Sequence, residues 1–241
     1  MSAETVHLFL NPAAGRGRAG KREPRIRELL AAPGLATEVH LSRAVGDLEE
    51  QVRRVVDDGV RNIVVAGGDG SVHEAANGIM RSSKNAALGV VPSGTGNDFA
   101  KAAGVTLDWQ AATEMLAQRI ASGHATRSVD MGIMNGRYFA NGAGIGLDAR
   151  VTRIARAYRM PIGDLVYLLA IFRGMAEGIA TPNMRITANG QTRNGPITLA
   201  NIANGPWIGG MFHIAPMADH GDGHFDLLVV APVTRRRILT L

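Results

Sequence analysis

The 241-residue chain has no cysteine, and only 5% of its residues are aromatic. The absence of cysteine excludes disulfide bonds, thiolate metal sites and thiol nucleophiles. Long apolar segments are also absent, because the longest run, residues 165–172, is too short to span a bilayer. The first five residues lack the basic start and apolar core of a signal peptide, so we expect none. Disulfide-stabilised scaffolds and thiol-dependent enzymes are therefore excluded.

Glycine and positive charge, by contrast, are plentiful. Thirty residues are glycine, which predicts many tight turns and ligand-binding loops. The formal net charge is +5 and the isoelectric point is near 10.2, a balance that favours an anionic partner. Nucleotides, nucleic acids and acidic lipid surfaces all fit this charge, which does not choose among them.

The most informative motif is the Gly-Gly-Asp-Gly-Ser segment at residues 67–71, directly after the apolar run at residues 63–66. Apolar residues at positions 72, 75, 76 and 79 follow with helical spacing. A strand, a glycine loop and a helix N-terminus together form a phosphate site, since glycine lets backbone amides approach the ligand. The carboxylate of Asp69 would need a metal ion between itself and the phosphates, which indicates a Mg²⁺–nucleotide site. The structural alternative is a tight turn in which Asp69 caps the helix.

The first half of the chain alternates strand and helix patterns. We predict strands at residues 6–10, 36–41, 63–66 and 87–91, and helices at residues 22–32, 97–103 and 108–121. Another helix starts at Asp47, with Glu50 completing a capping box. Repeated β-α units predict an α/β fold with a parallel sheet and helices on its faces. Ligands of such sheets bind beyond the carboxyl ends of the strands.

Near residue 125 the pattern changes to predominantly β. We predict strands at residues 128–131, 137–142, 197–203 and 225–230, and helices at residues 148–158 and 164–177. A hairpin is predicted around Asn189-Gly190, a pair suited to a type I′ turn. We therefore divide the chain into an α/β nucleotide-binding domain, residues 1–124, and a β-rich domain, residues 125–241.

Four further segments could join the glycine–aspartate loop in one site. They are Asn-Pro-Ala-Ala-Gly at residues 11–15, Pro-Ser-Gly-Thr-Gly-Asn-Asp-Phe-Ala at residues 92–100, Asp-Met-Gly at residues 130–132 and the acidic turn at residues 219–223. Each one alone also fits an ordinary turn or a capped loop. The acidic turn suits a hard cation, because its ligands are carboxylates and loop carbonyls.

Taken in order, these segments resemble the diacylglycerol kinase catalytic family, soluble bacterial lipid kinases related to sphingosine kinases and more distantly to NAD kinases and phosphofructokinases. The glycine–aspartate loop is shared with the two distant groups, whereas the segment at residues 92–100 is more specific to the lipid kinases. The resemblance covers essentially the whole chain. It implies an NAD kinase/diacylglycerol kinase-like fold whose β-rich domain binds lipid.

The resemblance also implies a role for each matching position. Asp69, Asp98 and Asp130 would be catalytic, with Asp69 on the catalytic Mg²⁺. A second, structural Mg²⁺ would bind Asp219, Asp222 and the carbonyl group of His224. The nucleotide-contacting positions would be Asn11, Pro12, Ala13, Ala14, Gly15, Ser42, Gly67, Gly68, Asp69, Gly70, Ser71, Val72, His73, Thr95 and Asn97.

The sequence departs from the family pattern in three places. Ala14 stands where a serine is common, which removes one hydroxyl group, and Ser71 replaces the usual threonine but keeps the hydroxyl. Family members continue beyond the point at which this chain ends, to an Asp-Gly-Glu segment that supplies the catalytic base. We therefore expect the chain as given to lack that acid.

A cationic helix flank is predicted in the second half, where arginine recurs every third residue. These residues are Arg150, Arg153, Arg156 and Arg159. One interpretation is an interfacial helix that docks on anionic lipid. The other is a solvated helix face next to an ordinary core stripe. A lipid kinase without a membrane span must reach its substrate at the bilayer, which favours docking.

The resemblance predicts an ATP-dependent lipid kinase that transfers the γ-phosphate to diacylglycerol, with ATP and Mg²⁺ as cofactors. We expect a cytoplasmic, peripherally membrane-associated protein that meets its lipid at an anionic surface and binds no nucleic acid, and we leave a homodimer open. Two alternatives stay open as well. One is a kinase of a soluble acceptor such as NAD or a sugar phosphate, and the other is a nucleotide- or lipid-binding protein without catalysis.

Overall fold

The computed structural model describes residues 5–158, 165–178 and 180–233. Its N-terminal lobe alternates strands with helices, as the sequence predicts. The elements of this lobe are β1 Thr5–Leu10, α1 Arg18–Ala31, β2 Ala36–Leu41, α2 Asp47–Asp57, β3 Asn62–Gly67, α3 Asp69–Met80, β4 Ala87–Pro92, α4 Asp98–Ala102 and α5 Trp109–Ala121. The four strands form a parallel sheet in the order β2-β1-β3-β4. The predicted α/β fold is confirmed.

Helices cover both faces of this sheet, because successive strand residues point to opposite sides. On one face Leu8 belongs to the same buried cluster as Leu30 of α1. On the other face Phe9 belongs to the same buried cluster as Val52 of α2. With both faces covered, the loops at the carboxyl ends of the strands form the exposed edge that a ligand can reach.

The C-terminal lobe is built mainly from short antiparallel strands. Its elements are β5 Gly132–Met134, β6 Arg137–Phe139, β7 Gly142–Gly146, α6 Leu147–Ala157, α7 Leu165–Ala176, β8 Asn183–Ala188, β9 Gln191–Pro196, β10 Leu199–Ala203, β11 Trp207–Ile208, β12 Phe212–His213 and β13 Asp226–Val230. A three-stranded sheet has the order β13-β10-β7, and three strand pairs, β5-β6, β8-β9 and β11-β12, accompany it. This β-rich architecture is the second half of the predicted fold.

The predicted hairpin is present with the expected turn. β8 and β9 pair so that Ala188 lies opposite Gln191. Asn189 and Gly190 between them have φ angles of 49° and 76°. Positive φ at both central residues is the requirement of a type I′ turn, so the Asn-Gly signal was sufficient.

Four local predictions are wrong. The single strand predicted at residues 137–142 is two strands, since β6 ends at Phe139 and β7 begins at Gly142. The capping box at α2 does not form: Gly46, in a left-handed conformation, precedes the helix, and the Asp47 carboxylate accepts the N–H of Arg43 while Glu50 binds Arg53. The segment at residues 128–131 is not a strand, because Asp130 is bound to a distant turn instead. Helix α1 begins at residue 18 rather than residue 22. The predicted first residue of the helix at 164–177 lies outside the described residues.

Candidate active site

Three glycine-containing loops meet at the carboxyl edge of the parallel sheet, after β1, β3 and β4. A Cβ atom added to Gly94 would lie 2.4 Å from the Cα of Gly68, so the second and third loops touch backbone to backbone. A Cβ atom on Gly15 would lie 2.2 Å from the carbonyl oxygen of Ser93, so the first loop touches the third. The edge therefore presents a dense surface of main-chain groups, which side chains on these glycines would obstruct.

The loop after β1 folds on its own backbone. The side-chain oxygen of Asn11 accepts the N–H of Ala13 at 3.0 Å, and the carbonyl oxygen of Asn11 accepts the N–H of Ala14 at 3.0 Å. The Arg18 side chain donates to the carbonyl oxygen of Gly15 at 2.9 Å. The predicted nucleotide-contacting residues 11–15 are thus held as one compact turn at the edge of the sheet.

Three more predicted nucleotide positions lie at the same edge. The N–H of Ser42 donates to the carbonyl oxygen of Leu10 at 2.9 Å, which places Ser42 beside the first loop. Asn97 has a φ angle of 52°, and its side-chain oxygen accepts the N–H of Gly94 at 3.0 Å. Thr95 is exposed on the turn that this bond closes. The structure brings these predicted positions together with the glycine loops.

Asp69 is the first residue of α3, and its carboxylate reaches across to the third loop. Its Oδ1 accepts the backbone N–H of Phe99 at 3.1 Å, and a Cβ on Gly96 would lie 3.0 Å from its Oδ2. Burial raises the pKa of the Asp69 carboxyl, and the negative charge of Asp98 raises it further. The residue that caps α3 is Gly68, so Asp69 does not serve as the helix cap. A bound cation would compensate this buried charge.

The carboxylate of Asp98 joins the two lobes. Asp98 is 6% exposed, and its two oxygens lie 3.0 and 3.1 Å from the backbone nitrogen of Gly210. The Lys101 ammonium group lies 3.3 Å from Asp98 Oδ1 and also donates to the carbonyl oxygen of Gly210. Lys101 is not among the residues predicted from the sequence, although its position three residues after Asp98 on α4 was a usable signal.

Asp130 lies in the C-terminal lobe beside the acidic turn. Its Oδ2 accepts the N–H of Gly223 at 2.7 Å, and its own N–H donates to the carbonyl oxygen of His220 at 2.6 Å. The His220 ring stacks on Phe99 with ring centroids 5.0 Å apart. Asp130 and the turn therefore pack against α4, the helix that carries Asp98.

The acidic turn offers oxygen ligands of the kind that a hard cation prefers. Asp219 Oδ1 accepts the N–H of Gly221 at 2.8 Å and forms an ion pair with Arg127. Asp222 Oδ1 accepts the N–H of His224 at 2.9 Å. The oxygen donors are of the chemical type that Mg²⁺ binds, and Asp219 is already paired with the guanidinium group of Arg127. The second cation site on Asp219, Asp222 and His224 stays a prediction.

The family model described as the diacylglycerol kinase catalytic domain matches residues 5–133. This chain belongs to that family. A second model, described as a YegS C-terminal NAD kinase beta sandwich-like domain, matches residues 141–241. The two matches follow each other along the chain as the α/β part and the β-rich part do, and together they confirm the family and the fold.

Named diacylglycerol kinases are similar along most of the chain. The diacylglycerol kinase of Staphylococcus carnosus (strain TM300) is 29% identical over 228 residues, which cover 93% of this chain and 72% of the relative. The diacylglycerol kinase of Bacillus subtilis (strain 168) is 29% identical over 228 residues, which cover 93% of this chain and 73% of the relative. The crystal structure of a diacylglycerol kinase from Bacillus anthracis str. Sterne has a TM-score of 0.76 and 28% identity, and the match covers 100% of this chain and 80% of that one.

An ion pair that sequence analysis missed holds the lobes of this diacylglycerol kinase family member together. Glu49 on α2 is 8% exposed. Arg137 of β6 donates to both its oxygens, at 3.0 and 2.7 Å, and Arg81 lies 3.3 Å from Oε1. A glutamate on the buried face of an amphipathic helix was the available signal, because such a charge requires a partner.

A second missed residue, Asn77, makes a paired contact with the other lobe. Asn77 lies on α3 and is fully buried. Its side-chain nitrogen donates to the carbonyl oxygen of Tyr138 at 2.9 Å, and its side-chain oxygen accepts the N–H of Tyr138 at 3.1 Å. The helix that begins with Asp69 is thus hydrogen-bonded to β6.

The predicted membrane arginines are only partly placed by the structure. Arg150 is engaged within the protein, since it donates to the carbonyl oxygen of Gly178 at 2.7 Å and to Glu177 at 2.8 Å. Arg153 is exposed on α6. Arg159 and the side chain of Arg156 lie outside the described residues. Among the helices of the described ranges, none has the length and apolarity to cross a membrane.

Proposed function

We propose that this member of the diacylglycerol kinase family transfers the γ-phosphate of Mg-ATP to the hydroxyl group of diacylglycerol, which yields phosphatidic acid and ADP and releases the hydroxyl proton. The observation that carries the proposal is the backbone contact of Gly68 with Gly94 beside the partly buried carboxylate of Asp69. Two glycine loops in contact place many amide groups around one carboxylate, an arrangement suited to a metal-bound polyphosphate. The named relatives support diacylglycerol as the acceptor.

The chain's own residues would bind and orient the nucleotide. Phosphoryl transfer requires mainly positioning and neutralisation of charge on the transferring group. In the proposed complex, backbone amides of residues 67–73 and 94–97 bind the phosphates, and residues 11–15 with Ser42 contact the rest of the nucleotide. Mg²⁺, when bound, would neutralise phosphate charge. Asp69 is the residue to hold it, because burial disfavours its ionised form without a cation.

Two of the predicted catalytic carboxylates act in this proposal by positioning. Asp98 orients the backbone at Gly210, and Asp130 orients the acidic turn through Gly223. The Lys101 ammonium group that pairs with Asp98 also lies 5.3 Å from the ring centroid of Trp207. Trp207 therefore lies beside the loops proposed to bind the phosphates, where its aromatic ring can pack on the apolar part of the acceptor lipid.

The acceptor would be reached at a membrane surface. A basic chain with a net charge of +5 is attracted to anionic lipid headgroups. Within the described part of the predicted cationic flank, Arg153 on α6 is exposed. It could contact such a surface without breaking a contact that the structure shows. We accordingly propose reversible, peripheral binding to anionic membranes.

The test is transfer of labelled γ-phosphate from Mg-ATP to a panel of acceptors: diacylglycerol and sphingosine in mixed micelles, and NAD and sugar phosphates in solution. Asp69→Asn is compared with Asp58→Asn, which removes the exposed carboxylate of the residue that directly follows α2. We expect labelled phosphatidic acid from the wild type and Asp58→Asn, and none from Asp69→Asn. Transfer only to NAD or a sugar phosphate would identify a soluble-acceptor kinase. ATP binding without transfer to any acceptor would mean either that transfer requires the Asp-Gly-Glu acid expected to be absent from the chain as given, or that the protein binds its ligands without catalysis.

A further inference from the structure

Two histidines and a glutamate converge on the outer strand pair of the parallel sheet, away from the glycine loops. His7 lies on β1, and Glu38 and His40 lie on β2. The parallel register places His7 opposite Glu38 and Phe9 opposite His40. Since side chains alternate between the faces of a sheet, these four side chains share the face that α2 partly covers. The topology therefore brings together one carboxylate and two imidazoles from two strands.

The three polar groups face one another at distances typical of ligands around one ion. His7 Nδ1 and His40 Nε2 are 3.0 Å apart. His40 Nε2 lies 3.4 Å from Glu38 Oε1, and His7 Nδ1 lies 3.8 Å from Glu38 Oε2. One ligand atom from each residue can be chosen so that all lie within 4.8 Å of one another. A tetrahedral ion with bonds of about 2.0–2.2 Å has ligand atoms about 3.3–3.6 Å apart. The 3.0 Å between the two nitrogens and the 3.4 Å between His40 Nε2 and Glu38 Oε1 are close to that value.

The imidazole rings are held in place by stacking. The rings of His7 and His40 are 5.2 Å apart at an interplanar angle of 14°, and Phe9 stacks on His40 at 4.5 Å. The side chains of the two histidines are 12% and 17% exposed, while that of Glu38 is 59% exposed. Two ligands are thus pre-oriented, and the third is on the solvent side, where an ion would enter.

We propose that His7, Glu38 and His40 bind a divalent transition-metal ion of the zinc class, with water at the remaining position. Imidazole nitrogen with one carboxylate oxygen suits Zn²⁺, Co²⁺ or Ni²⁺, whereas Mg²⁺ prefers oxygen ligands throughout. Both nitrogens of the 3.0 Å pair must then be unprotonated. The N–H between the rings moves to the far nitrogen of its own imidazole, so the change is one of tautomer and the charge of the ring is unaltered.

The proposed ion would be separate from the nucleotide. His7 lies four residue steps before Asn11, about 13 Å at 3.3 Å per residue, and His40 lies two steps, about 7 Å, before Ser42. The ion and the nucleotide would therefore use different side chains. The ion would link β1 to β2, and because the unfolded chain does not preform the site, binding raises the stability of the folded state.

The experiment uses the full chain without a histidine tag, freed of metal with EDTA and titrated with Co²⁺ and Zn²⁺. With excess Mg²⁺ present to fill the oxygen-ligand sites, we expect one equivalent of Co²⁺ to bind with a visible absorption band, Zn²⁺ to displace it, and the thermal unfolding midpoint to rise. Saturating Mg-ADP is expected to leave the stoichiometry unchanged. Glu38→Gln, His7→Gln and His40→Gln are expected to weaken binding by roughly tenfold or more. His124→Gln, at an exposed histidine after α5, is the matched control and keeps full binding.

Because the Glu38 side chain is largely exposed, Glu38→Gln is expected to leave the fold intact, so its effect on metal binding can be measured separately from any effect on folding. Loss of metal affinity in Glu38→Gln, with an unchanged circular dichroism spectrum and urea midpoint in EDTA, reports a lost ligand rather than a lost fold. Wild-type protein that binds neither Co²⁺ nor Zn²⁺ would overturn the proposal and leave a direct hydrogen bond between His7 and His40. Equal binding by the three variants and the wild type would overturn it too, because the ion would then lie elsewhere.

Discussion

Gly68 and Gly94 touch through their backbones, and a Cβ on Gly94 would lie 2.4 Å from the Cα of Gly68. We expect Gly94→Ala to push the loops apart and lower the free energy of unfolding by about 1–3 kcal/mol, as overpacking does. Gly70 is the contrasting position, since it lies in α3 and a Cβ there meets nothing within 4 Å. Gly70→Ala is expected to stabilise the protein by about 0.5–1 kcal/mol. Urea unfolding measures both changes, and equal effects would contradict the proposed loop contact.

Asp69→Asn is expected to stabilise the protein in the absence of nucleotide, in a pH-dependent manner. Folding raises the pKa of this carboxyl through burial and Asp98. The protonated Asp69 carboxyl therefore contributes its full stabilisation below the pKa of the unfolded chain, about 4. This stabilisation is lost as the pH rises through the pKa of Asp69 in the folded protein. The excess free energy of unfolding of Asp69→Asn over the wild type should be larger at pH 7 than at pH 4. Urea unfolding at both pH values, with Asp58→Asn as control, measures it; a constant difference would contradict the prediction.

Arg137→Met is expected to lower the free energy of unfolding by about 2 kcal/mol, because Glu49 loses two charge-assisted hydrogen bonds while it stays buried. Arg53→Met is the matched control, since Arg53 pairs with the half-exposed Glu50 on the surface of α2. That change should be below about 1 kcal/mol. Chemical denaturation of both variants and of the double mutant with Glu49→Gln tests the difference. If Arg137→Met and Arg53→Met cost the same, Glu49 does not depend on Arg137.

Lys101→Met is expected to lower the rate of phosphate transfer by on the order of ten- to a hundredfold, since it releases both Asp98 and the carbonyl group of Gly210. The effect should be larger on kcat than on the KM for ATP, because residues 11–15 and 67–71 are unchanged. Steady-state kinetics separate the two parameters. Lys84→Met, on the loop between α3 and β4, supplies a variant with the same loss of charge, and a similar fall in its kcat would contradict the prediction.

Arg153→Glu is expected to reduce sedimentation with vesicles that contain anionic phosphatidylglycerol, because it reverses an exposed charge on α6. The matched variant is Arg193→Glu, which makes the same charge change at an exposed position on β9. If only the net charge of the protein matters, both variants should lose the same amount of vesicle binding. A loss confined to Arg153→Glu identifies α6 as the docking helix, and an equal loss shows that only overall charge attracts the protein.

The sheet and its glycine loops could be predicted from local patterns. Apolar runs at residues 6–10, 63–66 and 87–91, followed by Asn-Pro, Gly-Gly and Pro-Ser-Gly, specify buried parallel strands that end in tight turns. The strands at residues 36–41 and 87–91 were predicted to within one residue of their ends. The Asn-Gly turn of the β8–β9 hairpin needed no tertiary information either, because its two positive φ angles are a local requirement.

Contacts between the lobes could not be predicted in the same way. Glu49 and Arg137 are 88 residues apart, and Asn77 and Tyr138 are 61 apart, so no local pattern pairs them. The capping box was predicted wrongly for a related reason. The Asp47 carboxylate accepts a hydrogen bond from the N–H of Arg43, and the spacing of Asp47 and Glu50 carries no information about that bond. The pairing of His7 with His40 likewise depends on the register of β1 and β2.

The double hydrogen bond between Asn77 and Tyr138 has a consequence for how the two lobes can separate. The amide proton of Tyr138 is held by a side chain of the helix that begins with Asp69, rather than by a neighbouring strand. Its exchange with solvent deuterium therefore requires that α3 and β6 part, whereas the amides between β1 and β3 can stay closed. Tyr138 is a built-in reporter of domain opening, and its exchange rate with and without nucleotide would show whether ligand binding closes the molecule.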